Sequence, residues 1–289
     1  MTTTTVHPSF DDESAFVFYR YKPSMAAAIL FVVLFIATTS YHIFQMITKK
    51  TWYFIPLIIG CFFEIFGYVG RGISAHDQWS LGPYIMQNLL LLIAPSLFAA
   101  SIYMILGRII QLVDGESRSL IRKRWLTKLF VTGDVLSFLA QSGGGGMMAQ
   151  GSASAATNGE HLVVGGLFVQ LAFFAFFLVV AILFNRKINR APTALSTPAS
   201  PVGSLWRTHM RLLYITSACI MVRSVFRLIE YLDGNAGFFM KNELFVYLFD
   251  GLLMLTVLVL FNLVHPGDLT ILGHRPIDSE LAGLRSTWK

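Results

Sequence analysis

The stretch TWYFIPLIIGCFFEIFGYVGRGI, residues 51–73, decides how this chain is read. It is long and apolar enough to cross a bilayer as a helix, which takes about 20 predominantly apolar residues. Yet it carries Glu64 and Arg71. Glu64, Tyr68 and Arg71 stand four and three residues apart, a spacing that keeps them on one helical face. A charge at the bilayer centre costs about 2.5 kcal/mol or more even on the permissive insertion scale, so such residues rarely meet lipid. This face is expected to look toward other helices or a wet cavity. The same spacing recurs in Arg223, Arg227 and Glu230, and again in Glu243, Tyr247 and Asp250.

The rest of the chain has the same character. Of its 289 residues, 55% are hydrophobic and 13% charged, and mean hydropathy is +0.62. Soluble domains carry about 25% charged residues. The sequence therefore describes an all-α polytopic membrane protein, since its apolar runs suit helices and not barrel strands. Seven spans are expected, at about 24–47, 51–73, 84–106, 128–148, 162–184, 212–232 and 244–264. The second, fourth and sixth contain the charges, and Gly143 to Gly146 weaken the end of the fourth.

Basic residues orient the bundle. The segments after spans one, three and five, with the C-terminal tail, hold 16 of the 22 lysines and arginines, from Lys49 to Lys289. The other side holds Arg20, Lys22 and Lys241. By the positive-inside rule the N-terminus is extracellular and the C-terminus cytoplasmic. The expected division is an external segment 1–23, a seven-helix domain 24–264 and a cytoplasmic tail 265–289. The net charge of +6 and pI near 9.4 then reflect topology and anionic lipid, not nucleic acid.

Residues 1–12 are polar, without the basic start and apolar centre of a signal peptide, so span one is expected to act as its own targeting signal. Cys61 and Cys219 fall within spans and support no extracellular disulfide. Residues 191–204, rich in proline, serine and threonine, suggest a disordered cytoplasmic linker. The glycine-rich stretch 142–151 lacks the strand, helix and lysine that phosphate binding needs, and there is no P-loop.

Orientation converts sequence position into depth. Glu64, Arg71, Gln87, Gln141, Arg223, Arg227, Glu230, Glu243 and Asp250 fall at or beyond the midplane toward the outside, with Asp134 in the inner half. The bland reading is a structural network that locks helices together, and Glu64 with Arg71 suits it equally well. Arg223 and Arg227, one turn apart, could instead hold an anionic head group, since the guanidinium fork matches carboxylate and phosphate. His42 reads as a hydrogen-bonded packing residue and Pro95 as a kink that frees a carbonyl. Tyr19, Tyr21, Trp52, Tyr53, Trp79 and Tyr84 read as interface belts, and the phenylalanines of 167–184 as lipid-facing bulk.

These residues together resemble the fungal RTA-like family, also called the lipid-translocating exporter family, over residues 19–267. The resemblance rests on Tyr21-Lys22-Pro23; on Glu64, Gly67, Tyr68 and Arg71; and on Pro95, Ala99, Ala100, Tyr103 and Arg108. It continues through Asp134 with Gln141 to Gly145, Gly166 with Gln170, and Arg223 with Arg227 and Glu230. Glu243, Tyr247 and Asp250, followed by His265-Pro266-Gly267, complete it. The order of these groups, one or two per span, carries the specificity; the short loop 74–83 is the one departure. The resemblance implies a seven-span plasma-membrane protein that moves or senses amphipathic lipids, sphingoid long-chain bases foremost, with resistance to toxic amphiphiles and one porphyrin-handling member alongside.

Three functions compete. As a translocator, the protein would receive a cationic amphiphile on Glu64, Glu230, Glu243 and Asp250, with Arg223 and Arg227 balancing them or holding a phosphorylated head group. Tyr68, Arg71, Gln87, Gln141 and Tyr247 complete the expected substrate-binding set. With no ATP-binding motif, movement is downhill, coupled to an ion gradient, or indirect. A lipid sensor or receptor-like protein suits seven spans with an external N-terminus; Ile105-Leu-Gly-Arg108 and Asn262-Leu-Val-His265-Pro266 match neither common receptor signature, which leaves a receptor of another class as the alternative. A zinc hydrolase needs several histidines at one depth, and only His42 lies clearly within a span. The expectation is no enzyme, no cofactor and no metal, with membrane lipids and an amphipathic small molecule as partners. A homo-oligomer is compatible with the sequence.

Overall fold

Residues 17–148, 153–200, 202–234 and 237–269 are described in a computed structural model. Expectations that fall on 1–16, 149–152, 201, 235–236 and 270–289 lie outside the described residues; they include most of the external segment, the tip of the glycine-rich stretch and the tail from 270 onward. Among the described residues all regular structure is helical. The helices are α1 (Met25–Thr48), α2 (Ile55–Ser74), α3 (Leu81–Leu112), α4 (Lys123–Met148), α5 (Ala153–Arg190), α6 (Gly203–Asp233) and α7 (Leu253–Leu263), the last entered through a π-helix, Val246–Leu252. The chemistry of the ends is conventional. Ser24 caps α1 by accepting the Ala27 amide at 3.4 Å. A proline in the first turn of α2 sits where its missing N–H costs nothing.

Each helix packs on its neighbours in the chain, α4 on α5 and α2 on α3 most extensively, and α1 also meets α7. α3 touches α2, α4 and α6 and forms the centre. Phe98, Ile102, Tyr103 and Leu106 of α3 are fully buried. Outward faces carry Ile29, Leu30 and Val33 on α1 and Phe168, Phe176 and Val179 on α5, an apolar surface suited to lipid.

Six of the described helices are long and apolar enough to cross a membrane. α4 is the exception, because glycines, serine, Gln141 and Asp134 dilute its apolar content. Small residues serve another purpose there. A Cβ on Gly144 would stand 2.5 Å from the Gly159 carbonyl oxygen, and one on Gly159 equally close to that of Gly144. Backbones of α4 and α5 thus meet directly, the packing that membrane helices favour.

Three expectations are corrected. Phe174, Phe177 and Phe184 point into the bundle and are buried and Phe173 is half-buried; Phe168 and Phe176 alone among the six are strongly exposed. The serine- and threonine-rich segment after α5 is folded against the bundle. Thr193 and Ser196 form a capping box. The Thr193 hydroxyl donates to the Val113 carbonyl at 2.6 Å, and buried Trp206 donates its Nε1–H to the Ser196 carbonyl at 3.2 Å. Short hydroxyl side chains satisfy backbone locally, which composition cannot separate from disorder. Of the presumed aromatic belt, Trp52 is exposed, but Tyr19 is buried and the guanidinium of Arg108 lies 3.4 Å from the Tyr53 ring centroid.

Candidate functional site

The three polar faces read from the sequence meet between α2, α6 and α7. Glu64, Arg71, Arg223, Arg227, Glu230 and Asp250 are all buried; Glu243 is half-buried at one end. Three ion pairs organise them. They are arranged along the bundle and not as one cluster.

Arg71 forms the first. Its Nη2 donates to Glu243 Oε1 at 2.9 Å and to the Tyr21 hydroxyl at 2.8 Å, and its Nε donates to the Tyr247 hydroxyl at 2.9 Å. The guanidinium lies 5.0 Å from the Tyr247 ring centroid and 5.5 Å from that of Tyr21, within cation–π range. Glu243 Oε1 also accepts the Ser24 amide at 2.8 Å, so the same carboxylate holds the start of α1. Arg71 therefore pairs with Glu243 across the bundle and not with Glu64 on its own helix. Beside it the Tyr19 hydroxyl donates to Gln87 Oε1 at 2.9 Å. Burial raises the pKa of Tyr19 and Tyr21 above the usual phenol value, and Arg71 pulls both partly back.

Arg223 forms the second. Its Nε donates to Asp250 Oδ1 at 2.6 Å and its Nη2 to the Leu91 carbonyl at 2.5 Å. Leu91 lies four residues before Pro95, which has no N–H to offer it. The arginine therefore supplies the donor that α3 lacks, and the expected freed carbonyl is present. Asp250 itself sits in the π-helix, a wide turn that recurs at functional sites. Gly251 beside it has no Cβ, which would collide with the Tyr68 hydroxyl and the Phe31 ring. Tyr68 stacks with Phe31 at 5.2 Å and Phe35 at 5.6 Å. The third pair is local: Arg227 Nη1 donates to Glu230 Oε2 at 2.7 Å, three residues on.

Glu64 stands apart. Its side chain is fully buried, and neither carboxylate oxygen has a hydrogen-bond partner. The Tyr68 hydroxyl, one turn along, is likewise buried without a partner. Asp250 and Arg223 are the charged neighbours of Glu64.

Gln141 does not join this group. Its Nε2 donates to Gln170 Oε1 at 3.0 Å, and Gln170 donates on to the Ser96 hydroxyl at 3.1 Å, a neutral chain between α4, α5 and α3. Asp134 is in that half too, accepting the Tyr103 hydroxyl at 3.0 Å. His42 bonds the Leu258 carbonyl at 3.1 Å, the packing role expected of it. Tyr19 and Tyr21, expected at the lipid interface, are instead partners of Gln87 and Arg71. Their position just before Pro23 and the α1 cap was the available signal.

Fold and site together define a multi-pass helical membrane protein with ion pairs in its interior. The RTA1 like protein family matches residues 57–271, and the chain belongs to it. Protoporphyrin uptake protein 1 of Saccharomyces cerevisiae is 35% identical, over 86% of this chain and 92% of its own length. The probable lipid transporter atnI of Emericella nidulans is 31% identical, over 88% and 68%. The sphingoid long-chain base transporter RSB1 of Saccharomyces cerevisiae is 25% identical, over 85% and 72%. No solved structure matches the chain.

Proposed function

We propose that this protein translocates amphipathic lipids across the plasma membrane, with sphingoid long-chain bases as the substrate class and tolerance of toxic amphiphiles as the outcome. The observation that carries this reading is the imbalance of the buried site. Glu64, Glu230, Glu243 and Asp250 stand against Arg71, Arg223 and Arg227, and the carboxyl group left over is Glu64. An interior with one acid in excess suits a cationic head group whose chain stays in lipid. Two relatives named as lipid or long-chain base transporters support the same class.

The topology belongs to this proposal. α4 has 26 residues and is about 39 Å long at 1.5 Å per residue, more than the roughly 30 Å hydrocarbon core. Its pairing with α5 covers its polar residues, so it serves as the seventh span. The N-terminus is then extracellular and the C-terminus cytoplasmic, and residues 24–264 form the seven-helix domain between segments 1–23 and 265–289. The Arg71–Glu243 end of the bundle faces outward.

A second reading has its own support, since one relative at 35% identity is named for protoporphyrin uptake. An anionic amphiphile would then pair with Arg223 and Arg227. The deciding experiment follows a fluorescent long-chain base across liposomes containing the purified protein, with protoporphyrin as competitor. Glu230→Gln and Asp250→Asn should slow the base with surface expression retained. Normal transport in well-expressed variants of all four acids rejects the site; movement of the porphyrin alone favours the second reading.

A further inference from the structure

Glu64 has no role in the pairings described above. A carboxylate sealed from water without a hydrogen-bond donor is unstable as an anion, and a buried acid in such a place holds its proton. The groups that reach it can be named. Cys61 and Tyr68 are on its own helix, Arg223 comes from α6 and Asp250 from the π-helix before α7. From α1, Phe35 packs on Tyr68 and Thr39 lies beside Cys61; from α3, Leu91 offers only its carbonyl, to Arg223. One cation therefore stands between two acids, and in this structure it is committed to Asp250 at 2.6 Å.

We propose that Glu64 is a proton-exchange site: an ammonium head group arriving at Asp250 displaces Arg223 onto Glu64, which releases its proton. The inference rests on the cationic-amphiphile reading of the site and adds the driving ion. The charges balance. Before exchange the centre holds neutral Glu64, the Asp250 anion and the Arg223 cation. Afterward it holds two carboxylates, Arg223 and the bound ammonium, again with no net charge. The O–H bond of Glu64 breaks, its proton goes to water, and nothing is oxidised or reduced. One proton leaves for each monovalent cation bound, and reprotonation of Glu64 returns Arg223 to Asp250 and expels the cation. The unpartnered Tyr68 hydroxyl, next on the same face of α2, is placed to relay that proton, taking it up as its own O–H proton passes to water. The π-helix that carries Asp250 gives the acid a turn whose hydrogen bonds can shift register.

The test uses the purified full chain in weakly buffered detergent, with an alkyl quaternary-ammonium amphiphile as probe. That probe carries no proton of its own, so any proton released comes from the protein. Binding is read by calorimetry and proton release by a pH indicator dye. Wild type should release close to one proton per probe bound, and Glu64→Gln none. Binding without release, or equal release from Glu64→Gln, overturns the inference while leaving the translocator reading intact. No binding to the wild type at all is the different failure, that of the cationic site itself. If Glu64→Gln does not fold, infrared difference spectra of the wild type decide. Binding should remove a protonated-carboxyl band, and an unchanged band refutes the exchange.

Discussion

The two halves of this bundle bury polar groups in opposite ways. Between α4, α5 and α3 the interior is held by hydrogen bonds without an arginine, Gln141 to Gln170 to Ser96 and Tyr103 to the acid Asp134, with backbones in contact at Gly144 and Gly159. Between α2, α6 and α7 it is held by full charges, and one acid is left without a partner. Lipid gives helices no hydrophobic reason to associate, so small residues and hydrogen bonds suffice to fasten the first half. Charges add little to stability that apolar residues could not supply. Among the described residues the interior ion pairs lie in only one half, which suits the proposal that this half was shaped by function.

Substitutions can break this contrast. The largest effect is expected at Arg223. Arg223→Leu strands Asp250 and the Leu91 carbonyl and should cost about 3–5 kcal/mol, seen as lost folded protein on size-exclusion chromatography. Adding Asp250→Leu should recover most of that loss without restoring transport. Failure of the double variant to fold would mean that the pair is structural after all. Next is Gly144→Leu, which drives a side chain into the Gly159 backbone and should cost about 1–3 kcal/mol or more in thermal unfolding, with no charged partner able to rescue it. Gln141→Leu is milder, about 1 kcal/mol, and should leave base transport at wild-type level; a transport defect would bring this half into the mechanism.

The smallest effect sharpens the comparison at its edge. Tyr21→Phe removes one of the three acceptors of Arg71 and should cost about 0.5–1.5 kcal/mol near neutral pH. Because burial raises the Tyr21 pKa above 10.0, the folded protein holds this proton where the unfolded chain has lost it. Stability contributed by the group is complete below pH 10 and falls as pH rises through the folded value. Tyr21→Phe should flatten that alkaline decline in a pH series of melting temperatures.

The charged half was legible in sequence because period and cost act together. Steps of four and three put Glu64, Tyr68 and Arg71 on one face, and lipid forbids that face to point outward. What spacing could not supply was the partner. Arg71 has Glu64 on its own helix, yet pairs with Glu243, which the segment before the π-helix brings beside it together with Tyr247. Neutral residues left a weaker trace. Nothing in the composition of residues 191–204 distinguishes hydroxyls that cap a turn from hydroxyls in a linker, and phenylalanine is equally at home facing lipid or core. Gln141 shows the same limit, since an amide within a span states only that some partner exists.

Pro95 gives the ion pair a mechanical meaning. α3 lacks the hydrogen bond that would stiffen it between Leu91 and residue 95, and the missing donor is lent by the arginine that neutralises Asp250. When that arginine swings away, the central helix loses its splint at the same instant that the acid loses its counter-ion. Bending of α3 and a change of charge at the site are then one event, and the helix that touches most of its neighbours transmits it to the whole bundle.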